Sequence, residues 1–164
     1  MQKILTSQEI NQKLVRLAHQ IIENAYDEPI LHIGGINGNG FQLAVVLKDM
    51  LKNINGQEII DFEITINKDE PWKEEIGISI DEKELKNAYI LLIDDVINSG
   101  KTMQYALIKF LQHPTKSIKT VSIIDRKHRR YPIKADYVGL TLSTTLREHI
   151  EVRAVSDGFE AYLL

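Results

Sequence analysis

Apolar residues at Ile10, Leu14, Leu17, Ala18, Ile21 and Ala25 recur with the spacing of one helix face. Thr6 and Glu9 stand three apart just ahead of them, where each side chain can satisfy the other's free main-chain N–H. The first predicted element is therefore an amphipathic helix opened by a capping box. Asp27-Glu28-Pro29 breaks it, and Ile30 to Ile33 reads as a short strand. Four glycines follow between Gly34 and Gly40, ahead of a helical stretch from Phe41 to Lys52, so this segment is expected to be a turn that lets backbone approach a ligand. Glu58 to Ile66 alternates, with Ile60, Phe62, Ile64 and Ile66 on one side, as a half-buried strand does. Asn67 to Gly77 is charged and without period, and Asp81 to Lys86 reads as a solvated turn.

Tyr89 to Ile93 is apolar at every position, the pattern of a strand buried on both faces in the middle of a parallel sheet. Asp94 and Asp95 close it, then Val96, and Asn98-Ser99-Gly100-Lys101-Thr102 leads into a helix over Met103 to Leu111. Pro114 is a stop signal, and Thr120 to Ile124 is a second β-branched run. Ala135 to Gly139 reads as a short strand. Ile150, Val152 and Ala154 alternate, as do Phe159, Ala161 and Leu163 beyond Asp157-Gly158, which predicts a terminal hairpin. Strands alternating with helices as far as Ile124 imply an α/β fold: a single domain over 1–164, with a mainly parallel twisted sheet flanked by helices and a small hood or hairpin element.

Composition narrows the chemistry. With no cysteine there is neither a disulfide framework nor a thiolate metal site, which fits a reducing compartment, and a cytoplasmic location is expected. No apolar run approaches membrane-spanning length, so no membrane partner is expected. A net charge of −3 argues against a whole surface built for nucleic acid, although Arg126, Lys127, His128, Arg129 and Arg130 form a local basic run that is a candidate for contact with RNA phosphates.

Ligands of open α/β sheets bind beyond the carboxyl ends of the strands, which is where Asp94 and Asp95 fall. Carboxylates there can accept from sugar hydroxyls or hold a hard divalent cation. Next to them, main-chain N–H groups, two hydroxyls and a cation surround a helix start, the composition of a phosphate cradle. Gly100-Lys101-Thr102 suggests a nucleoside-triphosphate loop, but the glycine required five residues earlier is Asp95. The dinucleotide fingerprint fails in the same way at Gly38-Asn39-Gly40, where Leu43 stands for the final small residue.

A hydrophobic strand, two adjacent acids and a Ser-Gly-Lys-Thr loop closely resemble the phosphoribosyl pyrophosphate motif of the type I phosphoribosyltransferases. Lys13 to His19 and the run Ile124 to Gly139 are similar to the bacterial pyrimidine operon attenuation regulators that double as uracil phosphoribosyltransferases. The resemblance implies transfer of ribose 5-phosphate from phosphoribosyl pyrophosphate to a free nucleobase, with uracil giving UMP, Mg2+ as cofactor and a homo-oligomeric state. A nucleotide-sensing RNA-binding regulator of pyrimidine genes is the other reading it implies. Asp94 and Asp95 would serve the ribose and the metal, with Val96 beside them. Asn98, Ser99, Gly100, Lys101 and Thr102 would hold the 5′-phosphate. Gly35, Ile36, Asn37, Gly38, Asn39 and Gly40 would face the pyrophosphate, in the family's loop after the first core strand. Lys68 matches a basic position of the family's mobile catalytic loop, and Asp125, Arg126, Tyr137 and Val138 would form the base pocket. The chain departs from the pattern at Asn37 and Asn39, where the family usually carries basic residues, so weakened turnover is expected. It departs again at Leu140, a position basic in the regulators.

Overall fold

The computed structural model describes residues 1–164. Nine strands and three α-helices follow the chain in the order β1 (Gln2–Leu5), α1 (Ser7–Ala25), β2 (Ile30–Ile36), α2 (Asn39–Asn55), β3 (Glu58–Thr65), β4 (Gly77–Ile78), β5 (Tyr89–Ile97), α3 (Lys101–Leu111), β6 (Ser117–Asp125), β7 (Tyr137–Thr141), β8 (Ile150–Val155) and β9 (Gly158–Leu163). Six strands form the main sheet in the order β4-β3-β2-β5-β6-β7, all parallel except the short edge strand β4. β1, β9 and β8 make a separate antiparallel sheet.

β5 is central because Ile90, Leu91, Leu92 and Ile93 can be buried on both of its faces. Leu91 and Ile93 belong to a core with α1, α2 and the small sheet, whereas Ile90 and Leu92 belong to a second core that contains Phe110 of α3. Each fully buried Leu or Ile contributes about 1.5–3 kcal/mol, so a strand with an apolar residue at every position is most stable between these two cores. α1 carries the Thr6–Glu9 capping box read from the sequence, and its buried face is Ile10, Leu14, Leu17, Ala18, Ile21 and Ala25.

Three boundaries differ from the sequence reading. The glycine-rich segment is not a long loop: Gly34, Gly35 and Ile36 continue β2, and only Asn37 and Gly38 separate it from α2. Glycine serves close packing here, since a Cβ on Gly34 would lie 2.6 Å from the Phe62 ring and one on Gly35 would overlap the main chain of Gly40 and Phe41. β5 runs on through Asp94 and Asp95 to Ile97, and α3 starts two residues early, at Lys101. Ladder pairing extends β5, because Asp94 and Val96 still pair with Ser122 and Ile124 of β6. β1 was not anticipated; its four residues gain strand structure only by pairing with β9, which is distant in sequence.

Candidate functional site

β5 delivers Asp94 and Asp95 to the carboxyl end of the sheet. Asp94 is 6% exposed, and its Oδ1 accepts the Asp95 N–H at 2.9 Å. Asp95 accepts from the Val96 N–H at 2.8 Å and from the Asn39 amide at 2.9 Å. Burial, reinforced by the neighbouring Asp95 carboxylate, pushes the Asp94 carboxyl up to about 8, with Lys68 acting in the opposite sense. These hydrogen-bond partners are all neutral donors. A buried carboxyl beside a half-buried one, both held by neutral groups, fits a hard divalent cation that prefers oxygen ligands.

Two helix starts converge on the pair. Close packing of Gly35 against α2 brings Gly40 so near that a Cβ there would lie 2.8 Å from the Ile93 carbonyl oxygen and 3.2 Å from Oδ1 of Asp94. The N-cap of α2 is Gly38, and that of α3 is Gly100; neither helix start has a side-chain cap. Apart from the Lys101 N–H, which donates to Ser99 Oγ at 3.2 Å, the unpaired first-turn N–H groups and the positive end of the helix dipole at both places suit anions. Gly100 has φ 84°, and a Cβ there would overlap Ile133, so the turn before α3 admits only glycine.

Lys68, Asp94, Val96 and the segment Asn98 to Thr102 line one open cleft of about 190 Å3. Eight of the residues read from the sequence therefore meet in space. Others do not. Ile36 is fully buried and Gly35 packs against α2, so neither can touch a pyrophosphate, and the loop expected over Gly35 to Gly40 reduces to Asn37, Gly38 and the first turn of α2. Both asparagine side chains have structural partners. The Asn37 Oδ1 accepts the Ile66 N–H at 3.1 Å, and the Asn39 amide spends its hydrogens on Asp95 and on the Val152 carbonyl, at 2.9 and 2.8 Å.

The basic run also has a different role from the one expected. Arg126 is buried, and its guanidinium donates to Asn98 Oδ1, Thr144 Oγ1 and the carbonyls of Thr145 and Glu148. Arg129 makes a bidentate pair with Asp125 at 2.9 and 3.0 Å and donates to the Asn98 and Ile133 carbonyls. Both guanidinium groups are engaged within the chain and brace the turn at Asn98. The Ser99 carbonyl completes the brace by accepting from the Arg130 and Tyr131 N–H groups. His128 is directed at the Thr144 carbonyl, which leaves Lys127 and Arg130 as the exposed members of the run. Such a bracket between residues 28 to 32 positions apart left no signal in local sequence.

The residues expected to form the base pocket also have partners within the chain. Asp125 is committed to Arg129 and to the Lys127 N–H. Tyr137 is a core residue beside Tyr89, whose phenol is pushed up to about 12, chiefly by burial and then by Tyr137. The Val138 carbonyl accepts from Arg16 of α1 at 2.8 Å.

Residues 1–156 match the phosphoribosyl transferase domain family. Among similar proteins, the Bifunctional protein PyrR of Alkaliphilus metalliredigens is 35% identical over 159 residues, covering 91% of this chain and 86% of the relative. That of Macrococcus caseolyticus is 30% identical over 169 residues, covering 98% and 97%. In fold, the chain is similar to a hypoxanthine-guanine phosphoribosyltransferase from Bacillus anthracis, with TM-score 0.77, 16% identity and coverage of 100% and 98% of the two chains. The hypoxanthine phosphoribosyltransferase of Trypanosoma cruzi gives TM-score 0.73 at 18% identity, covering 87% and 82%. No helix is long and apolar enough to cross a membrane.

Proposed function

The chain belongs to the phosphoribosyl transferase family, and from that premise we propose that it transfers the 5-phosphoribosyl group of phosphoribosyl pyrophosphate to uracil, giving UMP and pyrophosphate. One observation carries the reading: two uncapped helix starts, the adjacent carboxyls of Asp94 and Asp95, and Lys68 share the carboxyl end of the sheet. In this reading the N–H groups of Ser99 to Thr102 and the Lys101 ammonium take the 5′-phosphate. The start of α2 and Lys68 take the pyrophosphate. Asp94 and Asp95 orient the ribose hydroxyls, and the negative charge of Asp95, joined by that of Asp94 when a bound cation displaces its proton, lies near an anomeric carbon that becomes positive as pyrophosphate departs. Mg2+, for which the carboxylate pair is suited, would supply further charge neutralisation to the leaving group.

With both hydrogens of the Asn39 amide spent, pyrophosphate is left to main-chain N–H groups, the neutral Asn37 amide and Lys68, so slow turnover is part of the proposal. Purified protein with phosphoribosyl pyrophosphate, Mg2+ and individual free bases tests it. Pyrophosphate release with uracil is the expected result, release only with a purine base moves the acceptor, and no release with any base overturns the reading.

A second activity, RNA binding by a nucleotide-sensing regulator of pyrimidine genes, is supported by the relatives' designation as bifunctional. On this chain the exposed cations of the basic run for such contacts are Lys127 and Arg130. Binding to a pyrimidine-operon leader transcript that weakens steeply with salt supports it, and undetectable binding at low salt removes it. A homo-oligomer belongs to the same proposal, and sedimentation at assay concentration tests it.

A further inference from the structure

Trp72 is the chain's single tryptophan, and it lies not in a core but 62% exposed on the segment after β3. Its ring lies 6.1 Å from that of Tyr105 on α3, and Tyr105 in turn lies 6.1 Å from Tyr131. The Lys101 ammonium lies 5.6 Å from the centre of the Trp72 ring and donates to the Asp69 carbonyl at 3.0 Å. Lys101 and Lys68 both line the cleft beside Asp94.

The remainder of the segment is tied down on either side of Trp72. Asn37 holds Ile66 at one end, and the nearly buried Lys109 pairs with Glu75 and Glu82 at the other. Between Lys68 and Trp72, the Asn67 side chain accepts the N–H groups of Asp69 and Glu70, forming a compact turn that passes any displacement of the indole on to Lys68.

We infer that Trp72 and Tyr105 are positioning residues that hold Lys68 at the cleft, and that Lys101 links their contact to phosphate occupancy. An aromatic pair adds attraction beyond its buried area, and a cation over indole adds to it, enough to bias where a surface segment sits. A phosphate in the cleft competes with the Asp69 carbonyl and the indole for the same ammonium. Its arrival therefore alters the surroundings of Trp72. The inference rests on the phosphoribosyl-transfer reading for the identity of the ligand.

Because the chain has one tryptophan, its emission reports this contact alone. Ribose 5-phosphate titrated into the full chain, with binding followed in parallel by calorimetry, is expected to change Trp72 emission with the same midpoint as the heat. In Tyr105→Leu the free protein should emit at longer wavelength and lose the response. Its KM for phosphoribosyl pyrophosphate should rise roughly tenfold, equivalent to ~1.4 kcal/mol, while ribose 5-phosphate affinity is retained. Tyr105→Phe, which keeps the ring, should restore both, and Trp72→Leu, at an exposed position, should raise KM to a similar extent. Calorimetric binding without any emission change, or an unchanged KM in Tyr105→Leu and Trp72→Leu, overturns the inference and leaves the proposed reaction standing. Absence of ribose 5-phosphate binding overturns both.

Discussion

The Asn39 amide donates to the Asp95 carboxylate at 2.9 Å and to the Val152 carbonyl at 2.8 Å, so one side chain fastens the second acid of the site to the small sheet. That link gives the terminal hairpin a part in the chemistry.

Asn39→Asp removes both donors and sets a third acid against Asp95. Hydrogen bonds to charged groups contribute about 1.5–3 kcal/mol, so kcat/KM for phosphoribosyl pyrophosphate should fall roughly tenfold to a hundredfold. Steady-state kinetics beside a circular dichroism control checks this. A variant with full activity would show that Asp95 needs no such anchor.

Asp94 links stability to pH. Its folded pKa, about 8, is raised above the ordinary 3.8, so between these values the folded protein holds a proton that the unfolded chain has released. Stability from this group is therefore present at low pH and lost as pH rises through the window. Asp94→Asn should abolish transfer yet raise the thermal midpoint near pH 8, where ~1 kcal/mol corresponds to about 2–4 °C in a chain of this size. Thermal melts of both proteins across the window decide it; a lower midpoint for the variant near pH 8 contradicts the assignment.

Gly100→Ala puts a Cβ onto a residue with φ 84° and into the side chain of Ile133. Backbone strain of this kind costs about 1–3 kcal/mol, and relief requires the turn before α3 to move. Ribose 5-phosphate affinity should fall at least tenfold, as calorimetry would show. Wild-type affinity in the variant would place the phosphate elsewhere.

Arg129→Met leaves Asp125, itself nearly buried, without its bidentate partner and frees the Asn98 carbonyl. Breaking a buried pair from one side costs about 3–5 kcal/mol, reduced here because Arg129 is partly exposed. Denaturant unfolding should show a loss of roughly 2 kcal/mol or more, with phosphate affinity reduced. Lys127→Gln with Arg130→Gln, by contrast, should leave transfer unchanged and reduce only the salt-dependent binding to RNA. Loss of transfer in that double variant would mean that the exposed cations serve the reaction.

The sequence by itself determined the α/β class, the capping of α1, the central place of Tyr89 to Ile93 and the acid pair followed by a phosphate cradle. Each of these is written in neighbouring residues: a periodicity, a cap three positions apart, or an apolar run ending in charge. Only the tertiary structure decided what the glycines and the basic run are for. Gly34 and Gly35 are small because Phe62 and α2 press on them, and Arg126 and Arg129 turn inward because Asn98 and Asp125 offer them acceptors. β1 exists because β9 offers it a ladder, and Tyr137 is core because Tyr89 lies beside it. Such choices depend on which groups meet across long sequence separations, where hydrogen bonds and close packing override what local composition favours.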